Sequence, residues 1–330
     1  MKSFADQGAI KPIDDLRDKI VDNFGQSVAD VGSVDGKRYA VMFKGANKST
    51  IWYNVADFEE AGVDPPETWE DLTAAADTLK AAGITPYSVG VDVGWPISDL
   101  FENVYIRQAG AEKYDQLTNH EIPWTDQSVK DALTTMQAIV GDSADLAGGT
   151  DGALQSDMPA SVAKVFNDSP EAAMVVIGDF APGVVTDNPL EPVTGYNVFA
   201  FPSINGSGPV VVGGGDQCVN FKTSEAATAF LDYLTTADAA EIWAARGGFS
   251  SPNKNVDESV YPDDITRTNA TALANAEEFR SRHVRPAAVR VRRNAGAGLF
   301  KAFTDFVAKP DDVDGITQQM ETDAKKAFNS

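Results

Sequence analysis

Short apolar runs rich in β-branched and aromatic residues alternate along this chain with longer stretches whose apolar positions recur every three or four residues. The first rhythm predicts buried strands and the second amphipathic helices. The stretch Val34–Asn54 sets the pattern. Asp35-Gly36 is a tight-turn signal, because a type I′ turn needs positive φ. Val34 before it and Arg38–Phe43 after it read as short strands. Lys44–Ser49 then interrupts the apolar run with small and polar residues, and Thr50–Asn54 resumes as a buried strand. A chain that leaves one core and enters another shows such an interruption; a surface loop within one domain is the competing reading.

The flanking elements follow from the same rhythms. Lys2–Gln7 reads as a helix stopped at Gly8. Ala56–Ala61 is a helix closed by Gly62, and Pro65-Pro66 forbids its continuation. Thr68 caps the next helix with Asp71 three residues on; Leu72, Ala75, Ala76 and Leu79 form its apolar stripe. Thr85–Val91 predicts a strand broken by Trp95-Pro96, and Ile97–Gln108 a helix. Ser128–Val140 and Ser161–Phe166 are helical in pattern, Glu171–Ile177 and Tyr196–Phe201 extended. Val210-Val211-Val212 leads into Gly213-Gly214-Gly215 and a further strand, Cys218–Phe221. Helices follow at Ser224–Leu234 and Ala237–Arg246. A polar, helical stretch runs to Phe279, and a last helix pair spans Gly298–Val307 and Gly315–Phe328. Alternating strands and helices make the class α/β.

Length and charge narrow the reading. A chain of 330 residues suits two domains. The formal net charge of −22 argues against nucleic acid, whose phosphates need Lys and Arg. It argues equally against an anionic membrane face. The single cysteine, Cys218, rules out an internal disulfide and reads as a buried, inert thiol. No apolar run is long enough to span a bilayer and no signal peptide is evident. One stretch breaks the acidic composition: Arg280–Arg293 carries six Arg and no acid. It reads as an anion-binding patch, a solvated basic face or a local sequence disruption.

No catalytic constellation has the right spacing. His120 and His283 are the two histidines, and neither lies in a zinc motif. Gly213-Gly214-Gly215 precedes a strand rather than a helix, so it is no dinucleotide loop. Carboxylates are plentiful, but nothing singles out an acid and nucleophile pair for glycoside hydrolysis. No metal or cofactor is expected. What remains are aromatic and polar residues at element ends. Trp95 follows Gly94, with Asp99 and Glu102 one and two turns on, and Asp179-Phe180 follows Gly178 at a strand end. Aromatic faces beside carboxylates suit sugars, the ring packing on the C–H face and the carboxylates accepting from hydroxyls. Each aromatic taken alone reads equally as core.

Several stretches, in order, resemble the family 1 extracellular solute-binding proteins of ABC sugar importers. They are VDGKRYAVMFKGANKSTIWYN, FEEAGVDPPETWEDLTAAADTLKAAGITPYSVG, KVFNDSPEAAMVVIGDFAPG, NVFAFPS and FKTSEAATAFLDYLTTADAAEIWAARGGFSSPNKNV. The resemblance implies a two-lobe α/β fold of the periplasmic-binding-protein type (type II), with a ligand cleft between lobes. Lobe 1 would take residues 1–46 and 216–265, and lobe 2 residues 47–215 and 266–330. Hinge crossings would fall at Asn47–Ser49 and Gly214–Gln217. Lys48, Trp95, Asp99, Glu102, Asp179, Phe180, Asp216 and Phe249 would line the ligand site.

The same resemblance implies a non-enzymatic, monomeric component that binds a sugar, an oligosaccharide or α-glucoside. It would deliver the sugar to membrane permease subunits at the cell surface or in the periplasm, commonly as a lipoprotein. Alternatives are a carbohydrate-active enzyme, an adhesion module and a truncated fragment that does not bind. Two departures stand out. The chain enters the family's plan at FADQGAIKPIDDL, so the first lobe is expected to be incomplete, with exposed apolar sheet edges. The Arg-rich stretch stands where the family usually carries a glycine- and aromatic-rich cleft loop.

Overall fold

The computed structural model describes residues 1–185, 189–247, 250–276, 278–281 and 298–328. The chain divides into two compact units, residues 1–48 with 211–281 and residues 49–210 with 282–330. It passes from the first unit to the second between Lys48 and Ser49, and returns between Val210 and Val211. Nine strands lie among the described residues: β1 (Ser33–Val34), β2 (Lys37–Arg38), β3 (Ala40–Asn47), β4 (Thr50–Asn54), β5 (Tyr87–Ser88), β6 (Met174–Val176), β7 (Tyr196–Ala200), β8 (Val210–Val219) and β9 (Glu278–Ser281).

In the first unit, β1 and β2 form the expected hairpin, pairing Ser33 with Arg38 and Val34 with Lys37. Asp35 and Gly36 both take positive φ, 48° and 77°, as a type I′ turn requires. The main sheet has the order β3-β8-β9. β3 and β8 run antiparallel from Ala40↔Val219 to Asn47↔Gly213, with a register shift between Met42 and Lys44. Lys44–Asn47, expected to interrupt the strand, therefore belongs to it; backbone pairing does not require apolar side chains. The triple glycine likewise lies inside β8 rather than between two strands. A Cβ on Gly213 would stand 2.2 Å from the Phe279 ring, so the close packing there demands glycine.

Two boundaries consequently differ from the sequence expectation. The return crossing lies at Val210–Val211, ahead of the glycines, and not at Gly214–Gln217. Residues 266–281 go with the first unit instead of the second. The reason is apolar burial. Leu273 on the helix Asp264–Ala274 and Phe279 on β9 join Ile13, Leu16, Ile20, Phe24, Val41 and Met42 in one core. Cys218 is half-buried rather than buried. Exposed large side chains gather on this unit: Phe4, Phe221, Phe230, Tyr233, Ile242 and Trp243. The Arg280–Arg293 stretch lies outside the described residues beyond Ser281. Within it, Arg280 pairs with Glu278 at 2.9 Å.

The second unit is built on a sheet of order β5-β6-β4-β7. β4 is antiparallel to both β6 and β7, and β5 is parallel to β6. The carboxyl ends of β5, β6 and β7 therefore share one edge, and β4 begins there. The long helix Trp95–Thr118 starts near the end of β5, with a non-helical kink at Gly110. The strand has ended well before Trp95-Pro96, and this pair opens the helix two residues ahead of the expected Ile97, since Pro at the first turn has no N–H to satisfy. Phe101 on this helix packs on Phe303 of the helix Leu299–Ala308, with ring centroids 5.2 Å apart.

The terminal helix Val313–Phe328 is pinned by one buried carboxylate. Glu321 accepts from the Trp124 backbone N–H at 2.8 Å and lies 3.2 Å from His120 Nε2 and 3.1 Å from Lys325 Nζ. Burial alone would raise its pKa, but these three contacts outweigh it and hold the carboxyl below its ordinary value. A depressed carboxylate pKa stabilises the fold above the unfolded value of about 4.3, and the contribution fades as pH falls through the folded value. Thermal unfolding of wild type should thus lose more between pH 6 and pH 3 than that of Glu321→Gln. An equal loss in both would show that Glu321 contributes nothing to the acid sensitivity.

Candidate functional site

In α/β sheets, the carboxyl edge of the strands is where loops can converge without blocking the core. The second unit places three loops there. Gly178-Asp179-Phe180 leaves β6 and is held by β4: Thr50 Oγ1 donates to Ile177 O at 2.5 Å and Trp52 Nε1 to Gly178 O at 3.2 Å. The segment from Val91 to Gly94 leads from β5 into the long helix. Phe201 follows β7, and its N–H donates to Ser49 O at 2.9 Å.

The helix start is fixed by glycine. Gly94 is its N-cap with φ 69°, and a Cβ there would lie 2.3 Å from Phe300 O. Trp95, the first helical residue, is half-buried and meets the half-buried Phe180, with centroids 6.3 Å apart and planes tilted by 50°. Asp179 adjoins Phe180 and is also half-buried; Asp99 lies one turn beyond Trp95 and is buried. The structure therefore brings Trp95 and Phe180 together and sets one carboxylate on the element of each.

Glu102 is placed differently from the sequence expectation. It is 0% exposed, and Tyr114 donates its hydroxyl hydrogen to Oε2 at 2.5 Å. Two turns into a helix buried on most sides, its carboxylate is a core group. Lys48 and Asp216 belong to the first unit. Lys48 is 8% exposed, and its N–H donates to Val212 O at 2.9 Å. Asp216 is exposed on β8 and pairs with Lys44 at 3.6 Å. Phe249 lies outside the described residues. No group of three or more His, Cys, Asp or Glu side chains is placed to hold a metal ion among the described residues.

A buried polar row that the sequence reading does not single out runs along the same helix as Trp95. Ser49 Oγ donates to Asn103 Oδ1 at 2.5 Å, and Asn103 Nδ2 donates to Asp99 O at 2.9 Å. Arg107 Nη1 donates to Asn103 Oδ1 at 2.9 Å, while Nη2 donates to Val210 O at 2.8 Å. The guanidinium also lies 4.8 Å from the centroid of the Phe201 ring. Burial lowers the Arg107 pKa to about 10, so it stays charged at neutral pH. The signal was available: Asp99, Asn103 and Arg107 recur every four residues on a helix otherwise rich in Leu, Phe, Val and Tyr.

The chain matches the bacterial extracellular solute-binding protein family over residues 1–241 and belongs to it. It is 29% identical to the osmoprotective compounds-binding protein GgtB of Synechocystis sp. over 325 residues, 94% of this chain and 74% of that protein. It is 30% identical to the alpha-glucosides-binding periplasmic protein AglE of Rhizobium meliloti over 84% of this chain, and spans 63% of that relative's length. Among solved structures, the bacterial solute receptor AcbH superposes with a TM-score of 0.82 at 22% identity. The match covers 99% of this chain and 82% of AcbH.

The helix start offers a direct check on the site. Gly94→Ala should cost more than about 2 kcal/mol in urea unfolding, from the left-handed backbone together with displacement of Phe300. Gly183→Ala meets nothing within 4 Å and has an ordinary φ, so it should stay within about 0.5 kcal/mol of wild type. Similar costs for the two would mean that the Gly94 turn is not a constraint.

Proposed function

We propose that this chain is the sugar-binding component of an ABC importer, working outside the cytoplasmic membrane with permease subunits, as a monomer and without catalysis. The observation that carries the reading is the Trp95–Phe180 pair at the carboxyl edge of the second unit, with Asp179 and Asp99 alongside. Half-buried aromatic faces can take the C–H face of a pyranose, and the carboxylates can accept from its hydroxyls. Family membership supports the receptor role. The name of one similar protein, an alpha-glucoside binder, favours an alpha-glucoside among the sugars to be tried first.

Lys48 and Asp216 would act from the first unit. The chain crossings at Lys48–Ser49 and Val210–Val211 would serve as hinges, where a few residues absorb the φ/ψ change of a domain motion.

A thermal-shift screen against mono- and oligosaccharides tests the binding. A true ligand at 100 times its Kd should add about 2.7 kcal/mol of stability. No shift with any sugar of the panel would overturn the reading. Chromatography of the same mixtures should return the oligosaccharides intact; cleaved product would indicate an enzyme instead. For a sugar so found, Trp95→Ala and Phe180→Ala should each weaken binding by at least about 1 kcal/mol, roughly fivefold. Unchanged affinity in both would leave the two rings as core packing only.

A further inference from the structure

The two crossings Lys48–Ser49 and Val210–Val211 are neighbours in one antiparallel ladder. On the first unit's side, β3 and β8 pair through Asn47↔Gly213, and the Lys48 N–H adds a bond to Val212 O at 2.9 Å. On the second unit's side, the Ser49 carbonyl accepts from the Phe201 N–H. Side chains add to the backbone pairing there. Arg107 reaches the returning segment directly, through Val210 O, and the outgoing segment through Asn103 and the Ser49 hydroxyl. Ser49, Asn103 and Arg107 are 3%, 0% and 8% exposed, so these bonds are made where water competes little. Asn103 also donates to the Asp99 carbonyl, which ties the same row to the helix turn beside the aromatic pair.

We propose that Arg107 is a positioning residue that clamps both chain crossings to the long helix of the second unit. The two crossings then behave as one ribbon, and any bending is taken up on the Lys48 and Val211–Val212 side of the clamp. The guanidinium is suited to this because its planar fork donates in two directions at once. A lysine at the same place keeps the charge, but its three donors sit on one nitrogen, without the planar fork that spans both crossings.

The consequence for ligand binding rests on the proposed receptor role, but the clamp itself can be read without any sugar. Amide hydrogen exchange followed by mass spectrometry on the whole chain compares peptides spanning 45–52 and 208–214 with a control peptide spanning β6. In Arg107→Lys, exchange in both crossing peptides should rise at least about tenfold while the β6 peptide keeps its wild-type rate. In Asn103→Ser, which shortens the arm to Ser49 and leaves Arg107 free to reach Val210, the rise should be confined to the 45–52 peptide. Unchanged crossing peptides, or an equal rise in the β6 peptide, would overturn the clamp. Should Arg107→Lys fail to fold, the asymmetry in Asn103→Ser decides alone: a rise confined to 45–52 supports the clamp, and any other pattern overturns it. A sugar screen that finds no ligand would remove the receptor reading and leave this exchange result to stand or fall separately.

Discussion

The second unit depends on satisfying the polar groups of one buried strand. All five residues of β4 are buried, and four of them, Thr50, Trp52, Tyr53 and Asn54, carry polar side-chain atoms. Thr50 and Trp52 spend theirs on the carbonyls of Ile177 and Gly178. Asn54 donates to Val165 O at 3.0 Å and accepts from the N–H groups of Ala56 and Asp57, capping the helix Val55–Ala61. An unsatisfied buried group would cost on the order of 1–3 kcal/mol each, so these bonds fix where β6 ends and where the next helix begins. The loop bearing Asp179 and Phe180 inherits its position from them. The aromatic pair is therefore a consequence of how β4 disposes of its polar atoms.

Much of this was legible in the amino-acid sequence, and what was not has a common cause. The hairpin at Asp35-Gly36, the capping box at Thr68 and Asp71, and the α/β class follow from local chemistry and are present. The errors fall where backbone pairing overrides side-chain character. Lys44–Asn47 and Gly213–Gly215 look like interruptions by composition, yet they pair with each other across β3 and β8. Each segment makes the other's polar or small residues acceptable, and no local window contains both. The same reason moves the return crossing and sends Leu273 and Phe279 into the first unit's core.

The candidate residues divide for a related reason. Trp95 and Phe180 stand out in the sequence because strand and helix ends are local features, and their rings meet in the fold. Glu102 is buried against a partner, Tyr114, that a residue-type argument does not see. A carboxylate in a run of apolar residues signals either a ligand group or a satisfied core group, and only the partner distinguishes them. Asn103 and Arg107 were overlooked because the helix was read for its apolar stripe, although their spacing put them on one line with Asp99.

The contact between His120 and Glu321 spans 201 residues of chain, and it belongs to the packing of the last two helices against the helix Trp95–Thr118. Such long separations slow folding, because the intervening chain must be ordered before the contact rewards it. As the chain emerges during synthesis, the face of the long helix that receives Phe303 stays open until residues beyond 298 arrive. During that interval Phe101 has no Phe303 to pack against, and a nascent second unit is exposed to aggregation. The burden falls on whatever shields that surface until synthesis has passed the Leu299–Ala308 helix.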